Sequence, residues 1–112
     1  MQITHRIHRN VDVLDISGQF TFGARKDFTA ALEKLKQKNS PHVMLNFKQV
    51  AFIDSVVIGL LALAAQQCKV DNRKLSLVGA QGTVNQVLAL AHIDQMVPMF
   101  PNEDAALNGK AA

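Results

Sequence analysis

The chain has 112 residues, a length typical of one domain and sufficient to build one hydrophobic core. Hydrophobic residues make up 48% and charged residues 19%, a balance that excludes a disordered chain. Six phenylalanines occur without tryptophan or tyrosine, which weighs against a carbohydrate cleft or a base-stacking surface. The net charge of +3 is spread along the sequence, so a solvated surface explains it better than nucleic-acid binding.

Two segments at the start of the chain alternate apolar and polar residues with the two-residue period of a β-strand. They read "QITHRIHR" and "VDVLDISG", and Asn10 between them is a suitable turn residue. The pattern predicts a β-hairpin that ends at Gly18. Apolar residues switch sides at Val13-Leu14, which indicates a second strand buried on both faces.

The next segment, "GARKDFTAALEKLKQKN", predicts an amphipathic helix of about four turns. Its end is marked by Asn39-Ser40-Pro41. A short strand follows at 42–47, and residues 50–54 are expected to be extended. A second helix is predicted from Ser55 to about Val70.

The last third of the chain predicts a strand at 74–80 and three further elements. Thr83 and Gln86 have the spacing of a capping box, which would open a third helix. "MVPMF" is expected to form a short edge strand, because Pro98 lacks the N–H that a central strand needs. Asn102 could cap a final helix through Leu107, and the last five residues are expected to fray.

This order of elements predicts an α/β fold, with a mixed sheet of four to five strands covered by about four helices. A helical crossover between strands 42–47 and 74–80 requires these strands to be parallel neighbours. No linker or repeat interrupts the chain, so residues 1–112 are interpreted as one domain.

Residues with catalytic or metal-binding chemistry are scattered rather than grouped. His5 and His8 would point to opposite faces of one strand, while His42 and His92 stand alone, so no metal site is predicted. Cys68 is expected to be a small core residue. The sequence therefore predicts a protein that is not an enzyme and carries no cofactor.

The loop "GAQG" at 79–82 lies between a strand and a helix, where phosphate-binding loops occur. It lacks the lysine and hydroxyl residue of a P-loop and the three glycines of a dinucleotide loop. A turn explains it better. A small nucleotide-using enzyme remains the weakest alternative for the function.

The single cysteine and the apolar segments bear on the compartment. Cys68 cannot form an internal disulfide, which favours a reducing compartment. No secretory signal is visible, and the apolar run at 51–65 is interrupted by Asp54 and too short to span a bilayer. We expect a cytoplasmic protein without membrane insertion.

The stretch "AFIDSVVIGLLALAAQQC" places Asp54-Ser55 between two apolar runs. Both residue types are preferred helix N-caps, and the sequence does not decide which of them caps the helix. The helix that follows is apolar on nearly every side of its first turns, so either it is unusually buried or part of its apolar face is exposed as a docking site for a partner. We expect Val56, Val57 and Leu60 near the surface.

At this point the chain resembles the STAS domain, a family named for sulphate transporters and anti-sigma factor antagonists. The resemblance extends from "ISGQF" through "HVMLNFKQV" and "FIDSVVIGLLAL" to "TVNQVLALAHI". Bacterial single-domain members carry Asp-Ser-Ser/Thr-Gly-Leu-Gly at the central motif. Asp54, Ser55 and Gly59 match it, Ile58 stands for the leucine, and Val56 and Val57 depart from it.

The resemblance implies an anti-sigma factor antagonist-like, partner-switching protein. Its partner would be a serine kinase of the anti-sigma factor type, which would phosphorylate the residue at Ser55. The partner-binding residues that the resemblance and the apolar helix together imply are Asp54, Ser55, Val56, Val57, Gly59 and Leu60.

Two other roles within the family remain open. The chain could be a cytoplasmic accessory subunit of a lipid-transport ABC complex that contacts the ATPase. It could also act in a switch that controls a target other than a sigma factor. The identity of the partner and the oligomeric state are not decided by the sequence.

Overall fold

A computed structural model describes residues 1–108. In chain order it contains the following strands and helices: β1 (Gln2–His8), β2 (Val11–Phe20), α1 (Arg25–Gln37), β3 (His42–Ile53), α2 (Ser55–Val70), β4 (Lys74–Val78), α3 (Gly82–Leu90), β5 (Met99–Phe100) and α4 (Glu103–Leu107). Short 3-10 turns lie at Phe22–Ala24 and Ile93–Gln95. The expectation that the last five residues fray falls largely on 109–112, which lie outside the described residues.

The five strands form one mixed sheet in the order β1-β2-β3-β4-β5. β1 and β2 are antiparallel because a two-residue turn joins them, and Arg9 and Asn10 both adopt positive φ, as a type I′ turn requires. β2, β3, β4 and β5 are parallel because helical connections return the chain to the same edge. The predicted α/β fold, with a mixed sheet of four to five strands and about four helices, is confirmed.

Both faces of the sheet are covered, but unequally. The larger core cluster includes Leu14 and Ile16 and lies beneath α1, α2 and α3. The smaller one includes Val11 and Val13 and lies beneath α4. β2 contributes to both clusters, so the predicted strand that is buried on both faces is confirmed.

Four predicted local features are wrong. β2 continues past Gly18 and ends at Phe20. β3 runs without a break from His42 to Ile53, with irregular register against β2 in its second half, rather than as two extended pieces. β4 ends at Val78, because Gly79 turns the chain with a φ of +76°. α3 begins at Gly82 behind Gln81, so Thr83 lies inside the helix and forms no capping box.

Short α4 is held over the sheet by polar contacts as well as by its apolar side. Asn102 caps it and accepts a hydrogen bond from the amide of Ala105 at 2.8 Å, as predicted. The Glu103 carboxylate receives hydrogen bonds from Arg6, and Nδ1 of His8 lies 2.8 Å from it. The hydrogen bonds from Arg6, helped by His8, outweigh partial burial and lower the pKa of Glu103.

On the other face of the sheet, the buried carboxylate of Asp12 has three hydrogen-bonding partners. Nζ of Lys38 lies 2.6 Å away, Nε2 of His5 lies 2.7 Å away, and the hydroxyl of Ser40 donates a further hydrogen bond. Burial raises the pKa of Asp12, but the three hydrogen bonds together outweigh it and lower that pKa to about 2. His5 and His8 thus contact groups on opposite faces, as predicted.

We predict that part of the stability of the fold is lost in acid through Asp12. Because its folded pKa is lowered, its contribution is complete above the unfolded pKa and disappears as the pH falls from about 5 to about 2. The contribution is about 2 kcal/mol, since one pKa unit corresponds to about 1.4 kcal/mol. Urea unfolding at a series of pH values should detect it, and Asp12→Asn should flatten the profile. An unchanged profile would contradict the prediction.

Candidate functional site

The start of α2 is organised by Asp54, whose extended backbone places its side chain over the first turn of the helix. Oδ1 of Asp54 accepts a hydrogen bond from the amide of Val57 at 3.2 Å. Asp54 is therefore the N-cap, and Ser55 is the first residue of the helix. This settles which of the two residues caps α2.

The second oxygen of the same carboxylate binds a different segment. Oδ2 of Asp54 accepts a hydrogen bond from the backbone amide of Phe22 at 2.9 Å. The contact is possible because β2 and β3 are parallel neighbours and pair at Phe20 and Ile53, so their carboxyl ends meet at one edge of the sheet. One side chain thus fixes the turn after β2 against the start of α2.

Ser55 lies exposed beside this junction. Its hydroxyl makes no hydrogen bond to any other residue within 1–108. It stands at the end of α2 where free amide groups and the helix dipole create partial positive charge. The geometry makes this hydroxyl accessible to a reagent or an enzyme from solution.

Of the three apolar side chains expected near the surface, Val57 is the exception. Val57 is 0% exposed because α2 packs on the sheet through a stripe of residues at helical spacing: Val57, Leu61, Ala64 and Cys68. The expectation for Val57 is wrong, and a partner cannot touch its side chain. Val56 and Leu60 are half-buried and, being four residues apart, lie next to each other on one side of this stripe.

Two phenylalanines that sequence reasoning missed flank the junction. Phe22 is 55% exposed and Phe52 is 52% exposed, on the two strand ends that Asp54 joins. The guanidinium of Arg25 lies 4.4 Å from the centre of the Phe22 ring, as in a cation–π contact. One feature of the sequence could have indicated Phe52. It directly precedes Ile53 in β3, so its side chain points to the opposite face of the sheet from this buried residue.

Gly59 lies on the exposed side of α2, where no other part of residues 1–108 packs closely against it. A Cβ placed on it would meet no atom within 4 Å. Glycine inside a helix costs about 1 kcal/mol relative to alanine. Within the described residues, nothing requires this cost.

The remaining candidates behave as structural residues. In the "GAQG" loop, Gly79 has a φ of +76° and packs against Lys48, which explains that glycine by backbone conformation. Cys68 lies in the core, as predicted.

Residues 1–108 contain no group of three or more histidine, cysteine, aspartate or glutamate side chains placed to hold a metal ion. No helix among them is long and apolar enough to cross a membrane.

Comparison with known families agrees with this arrangement. The family model of the STAS domain matches residues 2–106. The chain belongs to the STAS domain family. Within this family member, Asp54-Ser55 lies at the junction of β3 and α2.

Individual STAS proteins are similar to the chain over most of its length. A STAS-domain containing protein of Pseudomonas aeruginosa is 28% identical over 83 residues, covering 74% of this chain and 81% of its own. An anti-sigma factor antagonist from Mycobacterium paratuberculosis has a TM-score of 0.86 at 19% identity, over 96% of this chain and 92% of its own. The Bacillus cell fate determinant SpoIIAA, in the phosphorylated form, has a TM-score of 0.72 at 15% identity, over 97% of this chain and 100% of its own.

We predict that Asp54 contributes to stability and Ser55 does not. Asp54→Ala removes the cap of α2 and the acceptor for Phe22, and should lower the free energy of unfolding by about 1–2 kcal/mol. Ser55→Ala is the matched control and should change it by less than about 0.5 kcal/mol. Chemical denaturation measures both. Equal losses in the two variants would contradict the prediction.

Proposed function

We propose that this STAS protein is an anti-sigma factor antagonist-like switch that acts in the cytoplasm and is not an enzyme. Its partner would be a serine kinase of the anti-sigma factor type. The contact would use a docking surface formed by Asp54, Ser55, Val56, Gly59, Leu60, Phe22 and Phe52. The observation that carries the proposal is the exposed Ser55 hydroxyl at the start of α2, next to Asp54, whose carboxylate also binds the amide of the exposed Phe22.

The docking surface combines the two properties that such a switch requires. Phe22 and Phe52 offer apolar area that a partner can bury, and aromatic side chains are common anchors at interfaces. Ser55 stands beside them and can gain charge. The two strand ends are held together by Asp54, so the surface is preorganised before a partner arrives.

The departure of the motif at Val57 is explained by the core rather than by the partner. Because this side chain is fully buried, a valine here fills space beneath α2 and leaves the docking surface unchanged. Val56 is half-buried and remains a substitution that a partner could sense. A kinase that binds this chain would therefore meet one altered side chain in the motif rather than two.

A phosphate on Ser55 would oppose binding through its charge while sparing the fold. It would bring about −1.5 to −2 charges to the edge of an apolar contact. The free amides and dipole of α2 favour an anion at this end of the helix, so the fold should tolerate it. A partner would have to bury the phosphate next to Asp54, which carries the same sign of charge.

We predict that Ser55→Asp lowers the affinity for the partner kinase while Ser55→Ala preserves it. The proposed probe is a serine kinase of the anti-sigma factor type from the organism that encodes this protein, with binding measured by calorimetry. Circular dichroism and melting behaviour should be unchanged in both variants. Incubation with the kinase and ATP should place phosphate on Ser55, detected by peptide mass spectrometry, and should do so on no residue of Ser55→Ala.

Equal affinity of wild type, Ser55→Ala and Ser55→Asp for the kinase would contradict the proposed switch. Binding of the three proteins to an ABC transporter ATPase with equal affinity would instead support the accessory-subunit role. In that role the docking surface would serve assembly without a phosphate.

We also predict that Gly59→Ala separates stability from binding. The added methyl group meets open space within the chain and should raise the free energy of unfolding by about 0.5–1 kcal/mol. If the partner backbone approaches α2 closely at this position, the same methyl group should weaken kinase binding. Asn85→Ala on the exposed side of α3 is the matched control, since it favours its helix without lying on the docking surface. A gain in stability with unchanged affinity would remove Gly59 from the contact.

A further inference from the structure

The outer edge of β4 is only partly covered by its neighbour. β5 has two residues, and they pair with Leu77 and Val78. On that side of β4, no strand lies beside Lys74, Leu75 and Ser76, which pair only with β3. Pro98 immediately precedes β5. Because proline has no N–H, the ladder cannot extend from β5 back toward the carbonyl of Leu75.

The backbone of Leu75 faces this open edge. The amide of Lys74 donates to the carbonyl of Pro41 at 2.9 Å, on the side of β3. The amide of Leu77 donates to the carbonyl of Pro98 at 3.0 Å, on the side of β5. Alternation along a strand therefore directs the N–H and C=O of Leu75 away from β3.

Neither backbone group of Leu75 has a hydrogen-bond partner among residues 1–108. Leu75 is only 6% exposed, so its N–H and C=O have little contact with solvent. Buried backbone donors and acceptors are nearly always paired in folded proteins. An unpaired donor and acceptor side by side are the groups that a further strand would use.

A groove of about 760 Å³ surrounds this edge, and we call it the edge groove. One wall lies on the α2 side and includes Leu63 and Met96, both exposed. The other wall lies on the α4 side and includes Ser76 and Phe100. A groove with walls on both faces of a sheet fits an extended chain, because successive side chains of a strand point to opposite faces.

The charges at the edge groove have one sign. Lys69, Arg73 and Lys74 line it, and no described residue that lines it is acidic. Arg73 is partly committed, since its Nε donates to the carbonyl of Ser40 at 2.7 Å. Lys69 and Lys74 are exposed and available to an anionic group.

We propose that the edge groove binds an extended, acidic segment of a partner protein, which adds a short strand beside Leu75. The backbone of the segment would pair with the N–H and C=O of Leu75, its apolar side chains would fill the walls, and its carboxylates would face Lys69 and Lys74. This surface is separate from the docking surface, because Lys69 lies about 21 Å along α2 from Ser55.

The test is a titration of the isotope-labelled protein with the blocked hexapeptide Glu-Glu-Val-Val-Glu-Glu, which in an extended conformation presents both glutamate and valine on each face. We expect the Leu75 amide to shift, its hydrogen exchange to slow, and residues of both walls to shift with it. The same peptide with lysine in place of glutamate should bind about tenfold more weakly because like charges repel. N-methylation of the central peptide amides should remove binding, since it deletes the backbone donors.

Charge-reversed variants make the result specific to the edge groove. Lys69→Glu combined with Lys74→Glu should invert the preference between the two peptides. Lys34→Glu combined with Lys36→Glu on α1 is the matched control and should leave it unchanged. Ser55→Asp should bind the acidic peptide like wild type, so this result does not depend on the proposed kinase switch.

Several outcomes would overturn the proposal. One is an unchanged Leu75 amide signal at millimolar peptide, and another is binding of the N-methylated or lysine peptide as tight as that of the acidic one. A shift of the same residues on dilution without any peptide would assign the edge groove to a second copy of this chain. Tighter binding of dodecanoate than of the peptide would assign it to an amphiphilic small molecule.

Discussion

The carboxylate of Asp54 determines the geometry of the proposed docking surface. Its two oxygens accept hydrogen bonds from the backbone amides of Val57 and Phe22. These residues are 35 positions apart in the sequence, but they follow β3 and β2, which are adjacent strands of the sheet. A neutral side chain of the same size could satisfy one amide strongly, whereas a carboxylate accepts from both at once. The start of α2, the turn after β2 and the exposed Ser55 are therefore fixed by a single group.

The apolar composition of α2 serves two different purposes along one helix. One stripe lies on the sheet and forms the core, from Val57 to Cys68. The opposite side keeps Leu63 and Val70 exposed, at 65% and 72%. The helix is stabilised because the sheet buries one of its faces. The apolar residues on its other side remain available to partners.

Most of the fold could be predicted because its signals are local. The helix from Ser55 to Val70 follows from a cap and an apolar run, and the short β5 follows from Pro98. The burial of Val57 could not be predicted, because an all-round apolar helix does not reveal which side meets the sheet. Phe22 and Phe52 were missed for a related reason, since their proximity depends on the parallel pairing of β2 and β3. The open edge beside Leu75 depends on where β5 stops, which is a property of the assembled sheet.

The buried position of Cys68 has a consequence for the redox chemistry of the protein. Burial raises the pKa of its thiol, with Asp71 adding to the effect and Arg73 opposing it. The thiolate is the form that oxidants and disulfides attack, so a thiol that stays protonated and shielded reacts slowly. Oxidative stress should then leave the described part of the chain chemically unchanged at its only cysteine. The switch proposed at Ser55 would in this way be insulated from a second covalent modification at Cys68.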